Sequence, residues 1–221
     1  MKAVRNLAAK SLRFAIAAAL AMAAAAPCVA QSAVALPPGV KTVWDLSKAR
    51  HETTASRERI CINGLWLWQP AKGAPGSVPA AGWGYFKVPA PWPGHEEYDQ
   101  HDCQTVISNP AWKEVKMADV NAAWYQREIN VPGNWAGRRI TLFADCLNSY
   151  AAVYLDGKKT GELRFPGGDL DLTAQLKPGK KQTLSLLVIA IPLLTGHSLF
   201  HALGLWFDCN RAMLERVLNM L

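Results

Sequence analysis

Residues 151–163 read AAVYLDGKKTGEL, and the Asp156-Gly157 pair inside them constrains the fold more than any other feature of the chain. Ala151, Val153 and Leu155 alternate with Ala152 and Tyr154, the period of a strand with one buried face. A two-residue connection between antiparallel strands needs left-handed backbone at both positions, and Asp-Gly supplies it at low cost. The stretch therefore predicts a β-hairpin, with Lys158 to Leu163 as the returning strand.

The same grammar extends in both directions. Tyr125, Arg127, Ile129 and Val131 alternate with Gln126, Glu128 and Asn130, and Pro132-Gly133-Asn134 then turns the chain. Ile140, Leu142 and Ala144 repeat the pattern, as do Leu170 to Thr173, and Thr183 to Ile191 reads as a further apolar strand after the Lys177-Pro178-Gly179-Lys180 turn. Ile60 to Trp68 is apolar but interrupted by Asn63-Gly64, which predicts a strand broken by a turn. Prolines and glycines crowd residues 70–95, which favours loops and short edge strands there. Closely spaced strands and turns without intervening helices indicate an all-β antiparallel sandwich or jelly roll over residues 42–192. Beyond it, residues 193–221 read as an atypical helical tail, either docked on the sandwich or marking a truncated or frame-shifted end, with an apolar run from Leu199 to Phe207. Arg211 to Leu221 carries a helical stripe of Met213, Leu214, Val217 and Leu218.

The amino-terminal thirty residues obey other rules. Lys2, Arg5, Lys10 and Arg13 precede the apolar run Phe14 to Ala26, Pro27 breaks it, and Cys28-Val29-Ala30 offers small residues for cleavage. This is the pattern of a secretory signal peptide, so the chain is expected to be exported, periplasmic or extracellular, with no membrane anchor in the mature form. The formal charge of +7 is 24 basic minus 17 acidic residues; removing residues 1–30 leaves 20 minus 17, or +3. That balance gives no support for nucleic-acid binding.

Residue chemistry narrows the remaining options. Cys61, Cys103, Cys146 and Cys209 allow disulfides in an exported protein, or buried thiols, and no C-x-x-C spacing suggests zinc. No glycine-rich phosphate loop follows a strand and no G-x-S-x-G surrounds Ser198, so no cofactor or hydrolase nucleophile is expected. His197 and His201 lack a neighbouring glutamate and a third ligand. The most polar stretch, His95 to Asp102, holds Glu96, Glu97 and Asp99 and is read as a solvated loop, with ligand or interface contact as the sharper alternative. Trp83, Trp92, Trp112 and Trp135 lie in or beside loops, where an indole can stack on a sugar ring or simply pack. Trp66, Trp68 and Trp124 lie within strands and belong to the core or a sheet face.

Four segments then occur in an order that resembles the N-terminal sugar-binding domain of glycoside hydrolase family 2, the β-galactosidase and β-glucuronidase group. Ile62-Asn63-Gly64-Leu65-Trp66 is similar to its opening L-N-G-x-W strand, and Val88-Pro89-Ala90-Pro91-Trp92 to its V-P-x-x-W segment. Trp124 to Gly137 resembles W-Y-x-R-x-F-x-V-P-x-x-W-x-G, and Ala152 to Gly161 is similar to A-x-V-x-V-N-G-x-x-V-G, followed by Asp171-Leu172-Thr173 in place of D-I-T. Phe165-Pro166-Gly167-Gly168 departs from the family's histidine-containing H-x-G-G-Y stretch.

The resemblance implies a galactose-binding-like jelly roll with carbohydrate as partner. It also implies that catalysis of O-glycoside hydrolysis belongs to a barrel whose two glutamates this sequence does not supply, so the chain alone is expected to be inactive. A catalytic glycosidase domain or chain is the implied protein partner. Residues 106–110 (VISNP) are similar to a family stretch whose asparagine reaches the sugar site, which makes Asn109 a candidate. Trp92, Trp135 and Asp99 complete the expected substrate-binding set, with no catalytic or metal-binding residue assigned. The rival readings are a free-standing carbohydrate-binding module and an interaction sandwich without a ligand.

Overall fold

The computed structural model describes residues 32–42, 44–71, 76–90, 92, 106–147 and 149–190, together with the backbone of strand 205–210. The segment read as an export signal, the polar stretch His95 to Asp102, the His197/His201 pair and the stripe from Arg211 to Leu221 lie outside these residues.

The expected all-β sandwich is observed. One sheet orders β1 (Ser32–Ala33), β5 (Ala81–Val88), β4 (Gly64–Pro70), β7 (Ala122–Asn130), β12 (Lys181–Ile189), β9 (Tyr150–Leu155) and β10 (Lys158–Arg164), with β6 (Val106–Ile107) also pairing β5. The other orders β11 (Gly168–Asp171), β8 (Arg139–Ala144), β13 (Leu205–Asn210), β3 (Arg57–Cys61) and β2 (His51–Thr53). Asp156-Gly157 forms the expected hairpin, with φ of 49° and 80°.

Two stretches depart from the sequence reading. Residues 81–88, placed among loops, form an eight-residue strand inside the larger sheet. Its glycines answer to packing rather than to turns: a Cβ on Gly84 would stand 2.2 Å from the Ile107 carbonyl oxygen and 2.4 Å from the Trp112 ring. The sandwich also does not close at Pro192, because Leu205–Asn210 fills the centre of the smaller sheet, antiparallel to both β8 and β3. Without that strand, the facing edges of β8 and β3 would have unpaired backbone groups. The apolar run Leu205-Trp206-Phe207 suits a strand, but its partners are distant in sequence and leave no local signal.

The core lies between the sheets, where Trp66, Trp68, Tyr125, Leu184 and Leu186 of the larger one meet Ile60, Ile140, Leu142 and Ala144 of the smaller. Trp68, fully buried, has four ring neighbours: Phe86, Trp92, Trp112 and Tyr125 at centroid distances of 5.6, 6.5, 5.3 and 6.4 Å. Each such pair adds about 0.5–1.5 kcal/mol beyond area burial.

Arg127 occupies an inward position on β7 and is only 7% exposed. Its Nη1 donates to the carbonyls of Ile62 (2.6 Å) and Asn63 (2.8 Å), and Nη2 to those of Leu65 (3.3 Å) and Thr42 (3.5 Å). The guanidinium also stands 5.4 Å from the Trp66 ring centroid. Burial pulls its pKa down to about 10, so it remains charged at neutral pH and the carbonyls replace its lost hydration.

Removing this side chain takes a donor from the carbonyls of Asn63 and Leu65, while that of Ile62 keeps the Trp66 indole N–H at 3.0 Å; the cost is about 1–3 kcal/mol for each group left buried and unpaired. Arg127→Met is therefore expected to lower unfolding stability in chemical denaturation by roughly 3 kcal/mol or more. Arg127→Lys is expected to recover little of this, because an ammonium cannot reproduce the planar fork.

Asp171 supplies a pH-dependent contribution. Its carboxylate accepts from the Thr173 hydroxyl (2.6 Å), the Arg139 Nε (2.8 Å) and the Thr173 backbone N–H (3.0 Å), which hold its pKa at about 2. A carboxylate depressed in the folded state contributes stability above its unfolded pKa and loses it as pH falls through the folded value. Thermal unfolding monitored from pH 4 to pH 2 is expected to lose part of its pH dependence in Asp171→Asn.

Candidate functional site

The tryptophans expected to present indole faces to a sugar do not do so. Trp92 is 1% exposed and donates its indole N–H to the Tyr125 hydroxyl inside the core. Trp135 sits in a 3₁₀ turn (Gly133–Trp135) but folds inward, also 1% exposed, and donates to Glu58 Oε2 at 2.8 Å. The same oxygen accepts from Arg138 Nη1 at 2.7 Å. A turn of this kind can point an aromatic outward or inward. Here the Glu58 acceptor and the apolar layer beneath it favour inward, and neither ring is left free to stack.

Asn109 is likewise occupied by the fold. It caps the 3₁₀ turn Pro110–Trp112, accepting from the Ala111 N–H at 2.9 Å, and its Nδ2 donates to the Trp83 carbonyl at 3.0 Å. Asp99 lies outside the described residues. Among the described members of the predicted set, Trp92, Trp135 and Asn109 are each engaged by contacts within the fold. Cys61 is a free thiol, whereas Cys103 and the Cys209 side chain fall outside the description. No group of three metal-ligating side chains occurs among the described residues.

A cleft of about 280 Å³ lies instead where β4 ends, β5 begins and β7 starts. Trp112, packed with the inner core, and Trp124, from the outer face of the larger sheet, are both part of its lining. Gln69 and Ser77 supply polar groups, and Pro70 and Pro79 stiffen the rim. The backbone around it is tightly held: Trp112 Nε1 donates to the Gly82 carbonyl at 2.9 Å and Gln69 Nε2 to the Ala81 carbonyl at 3.2 Å. That leaves the Gln69 side-chain oxygen and the Ser77 hydroxyl able to bind a ligand. None of the described lining residues is a carboxylate, so the cleft is suited to binding rather than to acid–base chemistry.

Sequence reasoning had little chance of finding this cleft. Gln69, Ser77 and Trp124 are 55 residues apart from first to last (69 to 124) and belong to no shared motif. The period-2 pattern did place Trp124 on a strand, and the structure puts it on the outer face, 5.2 Å from the Tyr154 ring.

No family model matches the chain. The fold is shared with solved beta-glucuronidases at low sequence identity. The enzyme of an uncultured Clostridium sp. superposes with a TM-score of 0.54 at 16% identity, over 73% of this chain and 30% of that one. The Ruminococcus gnavus enzyme in complex with D-glucuronic acid gives 0.51 at 16%, over 72% and 30%. That of Dictyoglomus thermophilum gives 0.51 at 12%, over 73% and 29%. The chain thus spans less than a third of the length of these proteins, and the likeness establishes the fold.

Since Trp135 works through Glu58 and the core, Trp135→Phe is expected to cost about 1 kcal/mol, the worth of one hydrogen bond. Saccharide affinity should be unchanged. Parallel denaturation and ligand titration check both halves of the expectation.

Proposed function

We propose that this chain is a sugar-binding β-sandwich of the glycoside hydrolase family 2 type, exported from the cell, that serves O-glycoside hydrolysis only together with a catalytic domain or partner chain. The observation that carries the reading is the fold shared with beta-glucuronidases over 73% of the chain, together with four family-like segments in family order. Export is supported by the basic and apolar segments of residues 1–30.

Within this reading the cleft beside Gln69, Ser77 and Trp124 is the place for saccharide contact. An amide oxygen and a hydroxyl suit sugar hydroxyls, which both donate and accept. Its volume is at the lower limit of ligand pockets, about 300 Å³, which fits one ring rather than an extended chain. Hydrolysis would require two carboxyls about 5 Å apart in a retaining enzyme, and the described cleft lining contains none.

Titrating the protein with galactose, glucuronic acid and their methyl glycosides, followed by tryptophan fluorescence and calorimetry, tests the proposal. A saturable response that is lost in Gln69→Ala and Ser77→Ala, with the melting temperature preserved, is expected. No turnover of chromogenic galactosides or glucuronides should accompany it. Absence of any saturable response, or turnover by the chain alone, would overturn the reading.

A further inference from the structure

The end of the sandwich opposite the cleft carries a different chemistry. Two turns meet there, Asp156-Gly157 between β9 and β10 and the segment 177–180 before β12. Gln182 joins them: its Nε2 donates to Asp156 Oδ2 at 3.0 Å, while its Oε1 accepts from the Lys177 backbone N–H at 2.6 Å. Asp156 Oδ1 accepts from the Thr183 N–H at 2.8 Å, and the Gly179 N–H reaches the Val131 carbonyl at 2.8 Å. The turns are thus fixed to each other and to β7.

Lysines decorate this rigid frame. Lys158, Lys177 and Lys180 are exposed, and none of them is in an ion pair among the described residues. Acidic groups described nearby are already engaged: Asp156 by the turn network, Glu58 by Trp135 and Arg138, Asp171 by Arg139 and Thr173, and Glu128 by Lys181 at 2.7 Å. Lys159 is turned to Glu162 and Tyr150 instead. Strands β12 and β10 are separated by β9 alone, so the two turns present their cations on the order of 10 Å apart. Asp156 stands at the junction of the two turns and, bound by neutral donors, offsets one of these charges; three lysines against one carboxylate still create a local positive field that attracts a polyanion.

We propose that this end is a docking site for an anionic polysaccharide, held through Lys158, Lys177 and Lys180. That the polyanion is a glycan rests on the carbohydrate reading above; the cation cluster itself does not. Trp124 and Asn130 lie six residues apart on β7, about 20 Å of extended strand, so this site and the cleft are separate.

Affinity electrophoresis and calorimetry of the full chain, using dextran sulfate and polygalacturonate with neutral dextran as the control, test the proposal. Binding to both anionic polymers is expected, weakening steeply between 50 and 200 mM salt, as screening of exposed charges requires (Debye length about 8–10 Å near physiological ionic strength). The triple substitution Lys158→Gln, Lys177→Gln, Lys180→Gln should reduce it at least tenfold with an unchanged melting temperature, and Gln69→Ala should not alter it. Unaltered polymer binding in the triple variant, or equal retention by neutral dextran, would overturn the site. Tighter, lysine-dependent binding to phosphatidylglycerol vesicles or to DNA would overturn the choice of a glycan. Loss of monosaccharide binding in Gln69→Ala alone bears only on the cleft.

Discussion

The sandwich depends on how one cation is buried. Arg127 faces inward from the middle of the larger sheet with no carboxylate beside it among its recorded contacts, and backbone carbonyls around the β3–β4 crossover take the place of water. Such a site is costly when half-satisfied, because an unpaired charge in low dielectric has nothing to offset its desolvation. The crossover therefore has to wrap the guanidinium closely. Gly64 shows how closely: its φ is +125°, and a Cβ there would lie 3.3 Å from Arg127 Nη2. Chain direction, glycine and arginine are one device, and it turns the strand carrying Ile60 into the strand carrying Trp66 and Trp68.

Other places where the chain changes sheet are pinned in the same manner, by polar side chains acting on backbone or on one another. Glu58 on β3 takes hydrogen bonds from Trp135 and Arg138 in the connection between β7 and β8. Thr173 binds both the N–H and the carbonyl of Ile140, and Asp171 holds Thr173. Asp156 and Gln182 bind the β9–β10 hairpin to the start of β12. Apolar burial drives the collapse but has no direction of its own. These directional contacts choose which of many compact arrangements of alternating strands is adopted, and a one-residue slip at any of them would turn a buried face to solvent.

That division explains what could be read in the sequence. Period-2 alternation and Asp156-Gly157 are local, and the strands they predict over residues 122–189 are present. The strand at 81–88 was obscured because its glycines look like turn residues. Only the Ile107 carbonyl and the Trp112 ring, both more than 20 residues away in the chain (107 and 112 against 84), reveal that Gly84 makes room for neighbours. Strand 205–210 was missed for the same kind of reason, since its partners start at residues 57 and 139. For Trp92 and Trp135, neighbouring prolines and glycines left stacking and packing open, because burial is decided by what lies beneath the turn. The cleft and the lysine-bearing end were illegible, because each gathers residues from several strands.

The residues that carry the resemblance to the glycoside hydrolase family 2 domain are mostly committed to folding. Arg127 holds a crossover, Trp66 and Trp68 fill the core, Trp92 is tied to Tyr125, Trp135 to Glu58, and Asp156 to Thr183 and Gln182. A motif built from such residues reports a shared architecture, and it does so strongly because each contact constrains a different crossover. It says little about a ligand, because most of its large side chains are buried. Trp124 lies on the outer sheet face and helps line the cleft beside Gln69, yet it too is buried, at 3% exposure. The ligand preference proposed for the chain belongs to the positions that the fold leaves free. These are Gln69 and Ser77 at one end of the larger sheet, and Lys158, Lys177 and Lys180 at the other, where substitution can alter binding without disturbing the pins that hold the sandwich together.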